Sequence, residues 1–297
     1  MSILQGVITP VLTPMHADES INIDALPALI DRQIQAGVHG IFCLGTNGEF
    51  YNLTLDEKLM VIEATVKAVN GRVPVFAGTG CPGTRDTIEL SLRAQALGVD
   101  AVSIITPYFG AVSQQEIIAH YTAIAKQVRI PILLYNMPAR TGCNIAPETA
   151  STLSRIDGIV GIKDSSGNFD NMLRYIELTR GSGFSVLSGN DSLILWNLLA
   201  GGTGGVSGCA NVYPATMVSI YRAFLSGNIE EGRRIQDSIR PLRNLFRFGN
   251  PNTIIKAASN AAGCHAGPCR APFQYISEEG QREIVRTVAE DLKRGLH

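Results

Sequence analysis

Short apolar runs recur along the first two thirds of the chain, each followed by Gly, Thr, Asn or Pro and then by a longer stretch with helical periodicity. Eight runs stand out, at 6–10, 40–44, 73–77, 101–105, 130–135, 159–162, 184–187 and 204–206. Helical candidates lie between them at 55–69, 84–97, 114–128 and 168–179, with Thr54, Thr84 and Ser113 placed to cap three of them. Strand then helix at a spacing of ~25 to 30 residues is the unit of a βαβ crossover. Runs that are apolar on both sides, such as Ala101-Val102-Ser103-Ile104-Ile105, belong in a parallel sheet covered by helices.

Eight such units predict an α/β fold, a closed (β/α)8 TIM barrel. After residue 206 the repeat stops and the pattern turns helical, at 214–225, 230–246, 252–262 and 278–294. The expected organisation is a barrel over 1–225 and additional C-terminal helices over 226–297, with no Pro-, Ser- or charge-rich linker between them. One segment argues for an open doubly wound sheet instead: Gly78-Thr79-Gly80-Cys81-Pro82-Gly83 follows a strand and precedes a helix in the G-x-G-x-x-G pattern of dinucleotide sites. Pro82 lacks one of the backbone donors a pyrophosphate needs, and Asp100 is only loosely placed to hold a ribose, so the barrel is the stronger reading.

Composition narrows the function. With 45% hydrophobic and 17% charged residues the chain packs a core and is not disordered. Lys and Arg (25) balance Asp and Glu (26) to a formal charge of -1, and no basic run occurs, so nucleic acids and anionic membranes are not expected partners. No apolar stretch approaches the ~18 residues of a membrane span, and the opening MSILQGVITPVLTP has no basic leader, which predicts a cytoplasmic protein. There, the sequons at Asn52 and Asn190 carry little meaning.

Six cysteines are scattered without a CxxC pair, as isolated thiols in a reducing compartment would be. Cys264, His265 and Cys269 are too few for a convincing zinc site, so neither a metal nor any other cofactor is expected.

In a barrel of this kind the chemistry sits just past the C-terminal ends of the strands. The chain has six lysines, and Lys163 alone ends an apolar run, Ile159-Val160-Gly161-Ile162. Withdrawal from water favours the neutral amine, the form that attacks a carbonyl to make a Schiff base. The competing reading is a rim lysine that pairs with Asp164. Tyr135, ending the preceding strand, offers a phenol able to give and take a proton, or simply an aromatic plug for the barrel top. Gly45-Thr46-Asn47-Gly48-Glu49 supplies backbone N–H groups, a hydroxyl and an amide that suit a carboxylate, although an ordinary strand-to-helix turn has the same composition. Arg140 could clamp a second carboxylate or be a surface arginine.

Gly45-Thr46-Asn47-Gly48-Glu49, Tyr135-Asn136-Met137-Pro138-Ala139-Arg140-Thr141-Gly142 and Gly161-Ile162-Lys163-Asp164 resemble, in order and spacing, three signature segments of the dihydrodipicolinate synthase / N-acetylneuraminate lyase family. The resemblance spans almost the whole chain. It implies a metal-independent class I pyruvate aldolase on a (β/α)8 barrel, a homotetramer built as a dimer of dimers. By that resemblance Lys163 condenses with pyruvate or another 2-keto acid and Tyr135 relays the proton. Thr46 and Asn47 hold the pyruvate carboxylate, and Val206 closes the pocket.

Arg140 then points to the synthase branch, which joins pyruvate to aspartate semialdehyde. The alternatives are a 2-keto-3-deoxy sugar-acid aldolase, a neuraminate-type lyase or a non-catalytic keto-acid-binding relative. Two positions depart from the synthase pattern: Asn47 replaces a second threonine, and Phe109 replaces a tyrosine that crosses to a partner subunit. Positions 50–58 and Pro82 also lack the histidines and asparagine of a lysine-feedback site, so inhibition by lysine is not expected.

Overall fold

The computed structural model describes residues 3–297. The first two residues of the expected barrel segment lie outside them. Eight parallel strands close a barrel in chain order: β1 (Gly6–Pro10), β2 (Gly40–Cys43), β3 (Val75–Gly78), β4 (Ala101–Ile105), β5 (Ile132–Asn136), β6 (Ile159–Asp164), β7 (Ser185–Ser188) and β8 (Gly204–Val206). The seam is made by β1 and β8, with Gly6 opposite Gly204 and Ile8 opposite Val206. β3 and β5 begin later than the apolar runs suggest because Pro74 and Pro131 have no N–H for the ladder, although both carbonyls still accept from the neighbouring strand.

The strands are buried on both faces, as their sequences require. Leu4, Ile8, Phe42, Phe76, Ala101, Leu133, Leu187 and Val206 fill the barrel interior, while the alternate residues Val7, Ile41, Val102, Leu134 and Ile162 pack outward on the helices. The closed sheet overturns the open-sheet alternative, and the glycines that suggested it have another purpose. A Cβ on Gly78 would lie 2.0 Å from the Leu44 carbonyl oxygen, and one on Gly80 within 2.8 Å of the Ile105 backbone. Both serve close packing of β3 and its following turn on β2 and β4.

Thr54 and Ser113 each form a full capping box, with Glu57 and Glu116. Thr84 does not cap its helix. The helix Thr84–Ala96 starts one residue earlier than that role requires, Gly83 takes the cap position, and Thr84 Oγ1 instead lies 2.9 Å from His120 Nδ1.

His120 is 5% exposed and its Nε2 has no hydrogen-bond partner among the described residues; burial pulls its pKa from 6.5 down to about 4. Between those pH values the unfolded chain binds a proton that the folded chain refuses. Acidification from 6.5 to 4 therefore removes about 3 kcal/mol of stability through this residue, whereas above 6.5 it removes none. The Tm of His120→Gln should fall less over that window than that of the parent. Parallel decline of the two would contradict the assignment.

Beyond β8, the helix Pro214–Leu225 packs against β1, and the remaining helices lie at the open end and flank of the barrel. The single helix expected over 230–246 is two, Ile229–Ser238 and Arg240–Asn244, because Pro241 cannot donate to the Asp237 carbonyl and opens a new first turn. No helix among the described residues is long and apolar enough to cross a membrane.

Candidate active site

Tyr135 and Lys163 are register partners on β5 and β6, one step from the barrel mouth. Parallel pairing at the same height sets their side chains side by side over the interior layer. Lys163 is 4% exposed, and its Nζ lies 3.9 Å from the centre of the Tyr135 ring and 5.1 Å from that of Phe42. It forms no ion pair among the described residues, whereas the other buried lysine, Lys256, sits 2.8 Å from a Glu49 oxygen.

The rim pairing of Lys163 with Asp164 does not occur, since consecutive strand residues face opposite ways. Asp164 instead accepts from Ser166 Oγ at 2.7 Å and from Asn136 Nδ2 at 2.8 Å. Burial pushes its pKa up, and these hydrogen bonds oppose that rise. Asn136 also donates to Asn144 and accepts from the Ile145 N–H, so a buried polar knot braces β5 and β6 behind the amine.

Tyr135 Oη is 3.0 Å from Thr46 Oγ1 and 2.9 Å from Met137 Sδ. Either hydroxyl of the Tyr135–Thr46 pair can donate, as a proton relay requires. Thr46 belongs to a tight loop closed by Gly48 N–H to Gly45 C=O at 3.0 Å, and Thr13 Oγ1 donates to Gly48 C=O at 2.7 Å. Glu49 ends the loop with φ +56 and is fully buried against Lys256 and the Arg270 N–H.

Lys163, Tyr135, Thr46, Asn47, Arg140 and Val206 all line one cavity of about 200 Å³. Asn47 is half-buried, and Val206 is a buried residue of the interior layer. Arg140 is exposed on the turn Pro138–Thr141 and donates to Asn250 Oδ1 at 3.2 Å; it has no carboxylate partner among the described residues. Gly189 makes the room at Lys163: a Cβ there would lie 2.0 Å from Ser165 Oγ and 3.0 Å from Lys163 Cε.

The C-terminal helices build the remaining wall, which the sequence pattern did not disclose. Arg243 Nη2 donates to Asn190 Oδ1 at 2.8 Å and Nη1 to Asp191 Oδ2 at 3.3 Å, while its guanidinium stacks on Phe246. Asn252 and Ile255 come from the helix Pro251–Ala261. Arg140 and Arg243 against a single carboxylate, Asp191, make this cavity receptive to anions. Phe109 does not reach it in its own chain; it stands fully exposed with φ +77.

A closed parallel barrel with a buried amine against a phenol at its C-terminal mouth fits the class I aldolase type of lyase. The chain belongs to the dihydrodipicolinate synthetase family, whose model matches residues 3–291. It is 41% identical over 286 residues to the 4-hydroxy-tetrahydrodipicolinate synthase of Methanopyrus kandleri, covering 95% of this chain and 94% of that one. Among solved structures, a dihydrodipicolinate synthase from Thermotoga maritima superposes with a TM-score of 0.95 at 32% identity, covering both chains completely. A prophage protein of the same family from E. coli K12, solved in complex with pyruvate, superposes at 0.94 with 31% identity over 98% of this chain and 99% of its own.

Proposed function

We propose that this chain condenses pyruvate with an aldehyde through a Schiff base on Lys163, in the manner of a 4-hydroxy-tetrahydrodipicolinate synthase that takes aspartate semialdehyde. The observation that carries this is the buried Lys163 amine, without an ion pair among the described residues, 3.9 Å from the Tyr135 ring, with the phenolic oxygen 3.0 Å from Thr46 Oγ1. The neutral amine adds to the keto carbon, and water leaves to give the imine. Loss of a methyl proton gives the enamine, which forms the new carbon–carbon bond to the aldehyde. Hydrolysis then frees the amine.

Tyr135 carries protons in these steps, sharing them with Thr46. Thr46 and Asn47 hold the pyruvate carboxylate, Val206 closes the pocket beneath the methyl group, and Arg140 takes the carboxylate of the second substrate. The match to a family member solved with pyruvate supports the first substrate.

Asn47, Phe109 and the polar far wall of Ser165, Asn190 and Arg243 favour a second reading, a 2-keto-3-deoxy sugar-acid aldolase or neuraminate-type lyase working in the cleavage direction. Borohydride reduction with pyruvate should add a pyruvyl mass to Lys163; its absence rejects both readings. Coupled assays with aspartate semialdehyde and with keto-deoxy acids separate them. Arg140→Ala should lower kcat/KM for the carboxylated aldehyde about 10- to 100-fold. Unchanged selectivity would remove Arg140 from substrate binding.

A cytoplasmic homotetramer is part of the same proposal. Phe109 projects from one side, close in chain to a pocket of about 150 Å³ lined by Phe50, Tyr51, Tyr108 and Phe273 that suits an aromatic side chain from a second copy. Leu173, Trp196 and Leu199 form a separate exposed apolar groove available to another pair of copies. Residues 226–297 are read as a C-terminal helical extension of the barrel over 1–225, and their contacts with Thr46 and Glu49 support a close association with it.

A further inference from the structure

The loop that carries Thr46 has glycine at both ends of its turn, Gly45 and Gly48, and is closed within itself by Gly48 N–H to Gly45 C=O and by Glu49 N–H to Thr46 C=O at 3.1 Å. Side chains and backbone from elsewhere fix where that turn sits. Three of these grips act beyond Thr46, Thr13 Oγ1 on the Gly48 carbonyl and Lys256 and the Arg270 N–H on Glu49. A fourth acts on Thr46 itself. Asn252, 3% exposed on the helix Pro251–Ala261, donates from Nδ2 to the Thr46 carbonyl at 2.6 Å and to Tyr51 Oη at 2.9 Å.

A backbone carbonyl only accepts, so the amide nitrogen must be the atom that faces it, and both of its hydrogens are committed. Tyr51 is in turn wedged edge-on against Phe50 and Phe273, which gives the amide a fixed second anchor.

We propose that Asn252 is a positioning residue for the reaction, holding the Thr46 carbonyl and the Tyr51 hydroxyl together so that Thr46 Oγ1 stays within hydrogen-bonding distance of Tyr135 Oη. The inference rests on the Schiff-base reading given above. Carbonyl and hydroxyl belong to the same residue, so a shift of the Thr46 backbone displaces the hydroxyl that shares a proton with the phenol. Displacements of about 1 Å at a reacting group are enough to slow catalysis roughly 100-fold.

The test uses the full chain with Asn252→Leu, which keeps the bulk and removes both donors, and Asn252→Asp, which keeps the shape. In Asn252→Leu, kcat and the rate of borohydride-trappable adduct formation at Lys163 should both fall roughly 10- to 100-fold in folded protein. In Asn252→Asp, only the protonated carboxyl can donate to the Thr46 carbonyl. Its activity relative to the parent should therefore climb as the pH is lowered.

A merely structural role predicts a lower Tm with kcat and adduct rate unchanged in Asn252→Leu and a flat relative pH profile in Asn252→Asp; that result overturns the proposal. The parent is the control for the underlying reading. If it traps pyruvate at Lys163 while both variants trap at the parent rate, only the role of Asn252 fails. If the parent traps none, both fail.

Discussion

Alanine at position 163 should abolish the pyruvyl adduct and with it the whole turnover, leaving the fold intact. Lys163 forms no ion pair among the described residues, so its removal breaks no salt bridge and leaves only a gap beneath Tyr135 and Phe42. Tyr135→Phe should behave differently. The ring that covers the amine remains, while the oxygen that meets Thr46 Oγ1 at 3.0 Å is lost. Adduct formation should persist at a reduced rate, and kcat should drop roughly 10²- to 10⁴-fold, the range for loss of a positioned proton carrier. Mass spectrometry after borohydride treatment reads the first effect, and steady-state kinetics reads the second. Residual adduct in Lys163→Ala would place the nucleophile elsewhere, and full activity in Tyr135→Phe would remove the phenol from the proton path.

The second large effect is on stability. Glu49 and Lys256 are 0% and 1% exposed and lie 2.8 Å apart. Lys256→Met strips the cation and leaves the Glu49 carboxylate in the core facing the Arg270 N–H at 2.9 Å and the neutral Cys269 thiol. A loss of about 3–5 kcal/mol is expected in denaturant unfolding. Glu49→Gln combined with Lys256→Met removes the stranded charge and should recover much of it. A single variant within about 1 kcal/mol of the parent would show that water reaches the carboxylate.

The barrel was legible because eight runs of apolar residues, buried on both faces, leave few other arrangements. The placement of Lys163 and Tyr135 at the barrel mouth was legible because both end apolar runs, and strand ends at the C-terminal face open onto that mouth. All six nominated residues meet in one cavity. The wall made by Arg243, Phe246, Asn252 and Ile255 had no local signal. These residues lie on helices whose patterns are those of any surface helix, and the partner of Asn252 is 206 positions away.

The misread cap and the rejected open-sheet alternative share a cause. Thr84 has the chemistry of a cap, yet its hydroxyl faces a buried histidine on the next helix. Gly78, Gly80 and Gly83 match a phosphate loop, yet neighbouring strands press on the first two. In both, tertiary neighbours decided between uses that the sequence permits equally.

The order in which the chain is made gives the grip of the C-terminal helices on the Thr46 loop a temporal meaning. Synthesis runs from residue 46 towards residue 270, so all eight strands are made while the loop between β2 and its helix still lacks Asn252, Lys256 and the Arg270 backbone. A nascent chain halted at residue 225 would carry both the amine and the phenol without the groups that hold this loop from the C-terminal side. The Thr46 loop therefore gains its full set of supports only in the last quarter of translation.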